Sequence, residues 1–131
     1  MDDKSATFPK NEHLAWKRYI DRLFVEGASF VSFPLRIVYL PVKKLPAISA
    51  VSVLVSVPKR KIKHAVDRNF IKRRIRESYR LRKHDLLRSF TEKDETLLMA
   101  ILYLDKAQSS FDVIDRAMEK ALLSLHTAMD L

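Results

Sequence analysis

Between Val57 and Lys83 the chain reads "VPKRKIKHAVDRNFIKRRIRESYRLRK", twelve lysines and arginines in 27 residues with only Asp67 and Glu77 to oppose them. Such a block cannot be buried, because an ion taken out of water without a partner carries a large desolvation penalty. It must lie on the surface and can join a core only along a narrow stripe. The whole chain carries 25 Lys+Arg and 16 Asp+Glu, a formal +9, so everything outside this segment sums to −1. A chain that is nearly neutral apart from one stretch has a single electrostatic address, and that address reads polyanion.

The block is helical by pattern from about His64 to His84. At about 100° per residue, Arg68, Lys72, Lys83, Arg76, Asn69, Arg80 and Arg73 fall within one arc of roughly 140°. Ile71, Ile75, Ser78 and Tyr79 gather on the flank, giving one side that packs and one that faces outward. A merely solvating face would interleave glutamates, since like charges at i, i+4 weaken a helix. An anionic membrane would need a broad apolar face of Trp, Leu and Phe, whereas the stripe here is narrow and needed against the core. Arginine forks match phosphate oxygens in a bidentate way, so nucleic acid is the expected partner. The preceding loop adds Lys59, Arg60 and Lys61 to that surface.

The rest of the chain supplies the scaffold. With 131 residues and 47% hydrophobic content it suits one domain, with residues 1–11 as a flexible tail and 12–131 as the folded part. Glu12 to Glu26 shows three- and four-residue apolar spacing before Gly27, predicting a first helix. "LRIVYLPV" reads as a strand after Pro34, and after a turn at Pro46 "AISAVSVLVSV" alternates. Val51, Val53, Val55 and Val57 point one way and Ser52, Leu54 and Ser56 the other. "ETLLMAILYL" suits a buried strand. The last segment is an amphipathic helix carrying Phe111, Ile114, Met118, Leu122, Leu125 and Met129, with Ser109 or Ser110 as N-cap and Asp112 in its first turn. The expected architecture is α+β, a small mixed sheet packed by helices in the order α-β-β-α-β-α.

Composition removes several function classes. There is no cysteine, hence no disulfide, thiol nucleophile or Cys-based zinc site, and Gly27 is the only glycine, which removes glycine-rich phosphate loops. The start of the chain lacks the apolar stretch of a secretory signal, and the longest apolar run is too short for a bilayer, so a cytoplasmic protein is expected.

"AVDRNFIKRRIRESYR", from Ala65 to Arg80, closely resembles the signature helix of the bacterial ribonuclease P protein component, whose pattern is Arg-Asn-Arg followed by Lys-Arg and a further Arg. "LFVEGASFVSFPLRIVYL" resembles that family's first helix, glycine turn and first strand. Arg68 and Asn69 match the first two motif residues, and Lys72, Arg73 and Arg76 the later basic ones. Phe70 stands where the third is usually arginine, and Lys63-His64 where Gly-Asn is usual. The resemblance implies the ribosomal protein S5 domain 2-like fold and a subunit of a ribonucleoprotein endonuclease that removes the 5′ leader of precursor tRNA. It implies that the catalytic RNA lies on the basic helix, and that the leader lies in a cleft of Phe24, Tyr39, Ser52, Leu54 and Ser56, with Ile20 at a position usually aromatic. It also implies that the RNA performs the hydrolysis with Mg2+, while the protein alone binds no cofactor.

The polypeptide carries no evident catalytic constellation. His13, His64, His84 and His126 show no metal-ligand spacing, and Asp67 and Glu77 stand three turns apart on the helix, too far to share an ion. Core packing competes with base stacking as the role of Phe24 and Tyr39. A general RNA-binding or ribosome-associated module remains the alternative, and a free-standing nuclease a third. A DNA-reading helix fits poorly, because a strand rather than a short helix–turn precedes the basic helix.

Overall fold

The computed structural model describes residues 17–45 and 48–131. The expected tail, the start of the first helix with Trp16, and the turn at Pro46 lie outside them. The near-continuous apolar run forms β4 (Glu95–Tyr103), the central strand, buried along most of its length. It pairs antiparallel with β2 (Leu35–Lys43) and parallel with β3 (Val51–Ser56); β1 (Ala28–Ser32) adds to β2 as an antiparallel hairpin, giving the sheet order β1-β2-β4-β3.

Alternation along these strands divides the sheet into two faces. Leu35, Ile37, Val51, Val53, Val55, Leu97, Met99, Ile101 and Tyr103 point to one side. There they pack against Ile71, Ile75 and Tyr79 of α2 (Ala65–Arg82), Leu86 and Phe90 of α3 (His84–Lys93), and Ile114, Met118, Leu122 and Leu125 of α4 (Phe111–Ala128). The other face carries Val38, Val42, Leu98 and Ala100, which meet Leu23 of α1 (Lys17–Glu26), with Tyr19 and Ile20 partly buried beside it. Among the described residues one short helix lies here, and Leu40, Leu54 and Leu102 stay partly open.

Gly27 ends α1 for want of space. Its N–H closes the last turn on the Leu23 carbonyl at 2.8 Å. A Cβ there would collide with that same carbonyl and stand 3.0 Å from the Tyr39 carbonyl and 3.1 Å from Val38 Cγ1. The only glycine therefore sits where α1 passes closest to β2. Ser110, of the two serines expected to cap α4, is the N-cap and accepts from the Val113 N–H, while Ser109 is engaged with the Tyr103 hydroxyl at 2.9 Å.

The α+β class and mixed sheet stand, but the order among the described residues has eight elements, α-β-β-β-α-α-β-α, where six were expected. β1 is an edge strand with no fully buried residue, so its sequence has no apolar alternation to display. The helix expected to run to His84 ends at Arg82, and α3 starts at once. No Gly or Pro marks the break. Lys83, expected on the basic face, is buried at this junction with 1% of its surface exposed, and Leu86 and Phe90 of the following helix join the core.

Candidate nucleic-acid interface

The cations of α2 divide into four groups by what they touch. Arg82 donates two hydrogen bonds to Asp115 of α4, at 2.9 and 2.7 Å, and reaches Glu119 at 3.5 Å. Asp115 also accepts from the Ser78 hydroxyl at 2.7 Å. The Arg82 guanidinium, with Ser78 assisting, lowers the Asp115 pKa to about 2. Arg74 donates to the Ser109 carbonyl at 2.8 Å, just ahead of α4. These two arginines clamp α2 to α4 and are turned away from the expected arc.

Arg68 belongs to a second group. It donates to the Ile62 and Lys63 carbonyls at 3.0 and 2.8 Å and so braces the loop that follows β3. That loop holds Lys59 and Arg60 exposed and Lys61 half-buried, close to the start of α2. Arg68 therefore positions other cations as well as contributing its own charge.

Lys72, Arg73 and Arg76 form the third group. Lys72 and Arg73 have no carboxylate partner among the described residues. The Arg76 Nε is buried with no hydrogen-bond partner, a costly arrangement for a donor. Asn69 is exposed beside them. Arg80, by itself the fourth, also lies on this side but is held in a two-bond pair with Glu77 at 2.9 and 2.8 Å. Arg80 lowers the Glu77 pKa through those bonds.

The expected cleft is corrected by the sheet register. On the α1 side, Leu40, Leu98 and Ser52 form one row, Val38, Ala100 and Leu54 the next, and Arg36, Leu102 and Ser56 the third. Tyr39 lies in the row of Met99 and Val53, on the opposite face, where it packs against the main core with its ring 6.1 Å from that of Phe30. It cannot line a groove under α1. Ser52 is covered, while Leu54 and Ser56 are half-open, so they are the accessible part of that face. Phe24 is 45% exposed, at the edge of the α1 stripe one turn beyond Ile20.

Arg36 is the residue that sequence reading missed. It is exposed on this face, in the row of Leu102 and, one strand further, Ser56, and donates toward β1 to the Ser29 Oγ at 3.2 Å. Its place between Leu35 and Ile37 carries no signal until the register fixes which strand faces align. Among the described residues no three His, Asp or Glu side chains gather to hold a metal ion, and no step is assigned to one on this polypeptide. No helix among them is long and apolar enough to cross a membrane.

The partly open α1-side face and the basic helix have counterparts among known proteins. The family described as Ribonuclease P matches residues 8–126. The ribonuclease P protein component of Porphyromonas gingivalis is 39% identical over 123 residues, covering 92% of this chain and 88% of the relative. That of Chlorobaculum tepidum is 34% identical over 115 residues, covering 82% and 74%. The solved structure of the Staphylococcus aureus RNase P protein shares the fold, with a TM-score of 0.64 over 87% of this chain and 94% of that one at 19% identity. A helix of this motif, on this sheet, within a sequence so matched, settles the classification: the chain belongs to the ribonuclease P protein component family.

Proposed function

We propose that this chain is the protein subunit of a ribonuclease P ribonucleoprotein, which cleaves precursor tRNA endonucleolytically to leave a 5′-phosphomonoester on the mature tRNA. The catalytic RNA lies against Lys59, Arg60, Lys61, Arg68, Asn69, Lys72, Arg73, Arg76 and Arg80. The 5′ leader runs along the open part of the α1 face, past Phe24, Leu54 and Ser56, with Arg36 added and Tyr39 removed. Phosphodiester hydrolysis, and the Mg2+ it uses, belong to the RNA, and the polypeptide contributes binding energy and register in the cytoplasm.

One observation carries this reading. Of the cations on α2, Arg82 and Arg74, turned to α4, are held by carboxylates and a carbonyl, while Lys72 and Arg73 have no such partner among the described residues. Unmatched guanidinium donors on a fixed helix suit a phosphate backbone. The leader groove suits a single strand for a different reason: an aromatic edge at Phe24 offers a stacking face and small side chains at Ser56 admit a backbone closely.

The test is cleavage of precursor tRNA at low magnesium by a bacterial ribonuclease P RNA, with and without this protein, beside a protein-only control. Rescue only when both are present is the expected result. Binding without rescue would favour a general RNA-binding module, and cleavage by protein alone would make the chain a nuclease in its own right.

A further inference from the structure

The basic helix carries a patch that is partly apolar. Val66, Asn69, Phe70 and Arg73 stand at i, i+3, i+4 and i+7, share one helix face, and line a shallow depression. This face is turned away from the core, since Ile71, Ile75, Ser78 and Tyr79 on the other side of α2 are buried. Val66 is 65% exposed and Phe70 45%. The Arg73 guanidinium carbon lies 5.8 Å from the centroid of the Phe70 ring.

Folding gives no reason for that ring. It is far from buried, and phenylalanine is a poorer helix former than arginine. The surroundings also narrow what could cover it. Lys72, Arg73 and Arg76 lie on the same helix, so an occupant has to bring an apolar face and negative charge together. A nucleobase joined to its phosphate does both in one ligand, whereas paired RNA offers phosphates and no free base face.

We propose that Phe70, Arg73 and Asn69 form a receiving site for one unpaired nucleobase of a folded RNA. The base stacks on the Phe70 ring beside Val66, Arg73 holds the adjoining phosphate, and the exposed Asn69 amide meets the base edge. The site rests on the RNA-binding reading above and adds selectivity to it. Arginine at position 70 would answer any phosphate, while phenylalanine answers a base that has left its helix.

The experiment measures affinity of the full chain for a bacterial ribonuclease P RNA across a salt series, with Phe70→Leu, Phe70→Tyr and, as a charge reference away from the patch, Lys59→Ala with Arg60→Ala. Phe70→Leu is expected to bind about tenfold more weakly at every salt concentration with an unchanged salt slope, the size of one base–aromatic stack. Phe70→Tyr should stay within about twofold, because the ring is kept. Chemical probing should show one unpaired nucleotide shielded by the parent protein and reactive with Phe70→Leu. If Phe70→Leu binds as the parent does while the Lys59/Arg60 variant loses affinity and slope, the base site is wrong and the RNA reading stands. If no variant changes affinity or slope, the RNA-binding surface itself is wrong.

Discussion

Two sets of cations stand on the same helix and do opposite work. Arg74 and Arg82 point toward α4, where a carbonyl and two carboxylates receive them. Lys72 and Arg73 point away, and no carboxylate among the described residues answers them. The difference lies in the partner rather than the side chain. The first set spends its charge inside the protein and fixes the helix; the second keeps its charge for something else. A helix that only solvated its surface would need no such division, since exposed pairs contribute little.

The clamp is where the contrast is sharpest. Asp115→Ala leaves Arg82 with Glu119 alone and the Ser78 hydroxyl without its acceptor. A partly buried pair broken on one side is expected to cost about 2–3 kcal/mol, read from the urea midpoint, with the RNA salt slope unchanged. A loss of slope in this variant would erase the distinction between the two sets.

Acid should act on the same clamp. The Asp115 pKa is lowered from 3.8 to about 2, so the folded state favours the ionised carboxylate. Its contribution is complete above about pH 4, declines as pH falls, and is gone once pH passes below about 2. At most about 2 kcal/mol is lost across that window. Unfolding measured over pH 4 to 2 should show a shallower decline in Asp115→Asn than in the parent chain, and equal slopes would mean the clamp is not the titrating element.

The outward set calls for the opposite pattern. Lys72→Ala with Arg73→Ala should lower the salt slope of RNA binding by nearly two and weaken binding about tenfold at moderate salt. Stability should stay within about 0.5 kcal/mol. This pair is a cleaner test than Arg68, whose loss would also release the loop from the Ile62 and Lys63 carbonyls. On the α1 face, Arg36→Ala should weaken leader-bearing precursor by roughly threefold and leave mature tRNA unaffected. Tyr39→Ala, on the other face, should reduce stability and treat both substrates alike.

Sequence patterns reached the strands and helices whose burial is periodic and failed where it is not. β4 is apolar from Leu97 to Tyr103 and pairs on both sides; β3 alternates valine with Ser52, Leu54 and Ser56 and is buried as its valines predict. β1 hides because an edge strand has little to bury, and the break at Lys83 hides because no breaker residue marks it and the burial of Leu86 and Phe90 is a tertiary fact. The motif singled out α2 as the expected binding element, yet not which arginines are held within the protein, because Asp115 and Glu119 arrive from a helix more than 30 residues later. Tyr39 was misplaced by one residue's worth of alternation, which moves a side chain to the other face of a sheet.

The exposed Glu77–Arg80 pair sits between the two sets and offers the smallest effect with the least intuitive sign. Glu77 lies on the outward side of α2 and holds Arg80 through two bonds, so it withdraws one cation and adds one anion to the surface proposed for RNA. Both side chains are well hydrated, and an exposed i, i+3 pair gives the fold little to lose. Glu77→Gln should therefore leave the urea midpoint in place, tighten RNA binding by roughly twofold and steepen the salt slope, as Arg80 becomes available to a phosphate. Binding that weakens instead would place Glu77 in contact with RNA as an acceptor, and would move Arg80 from the outward set to the clamping one.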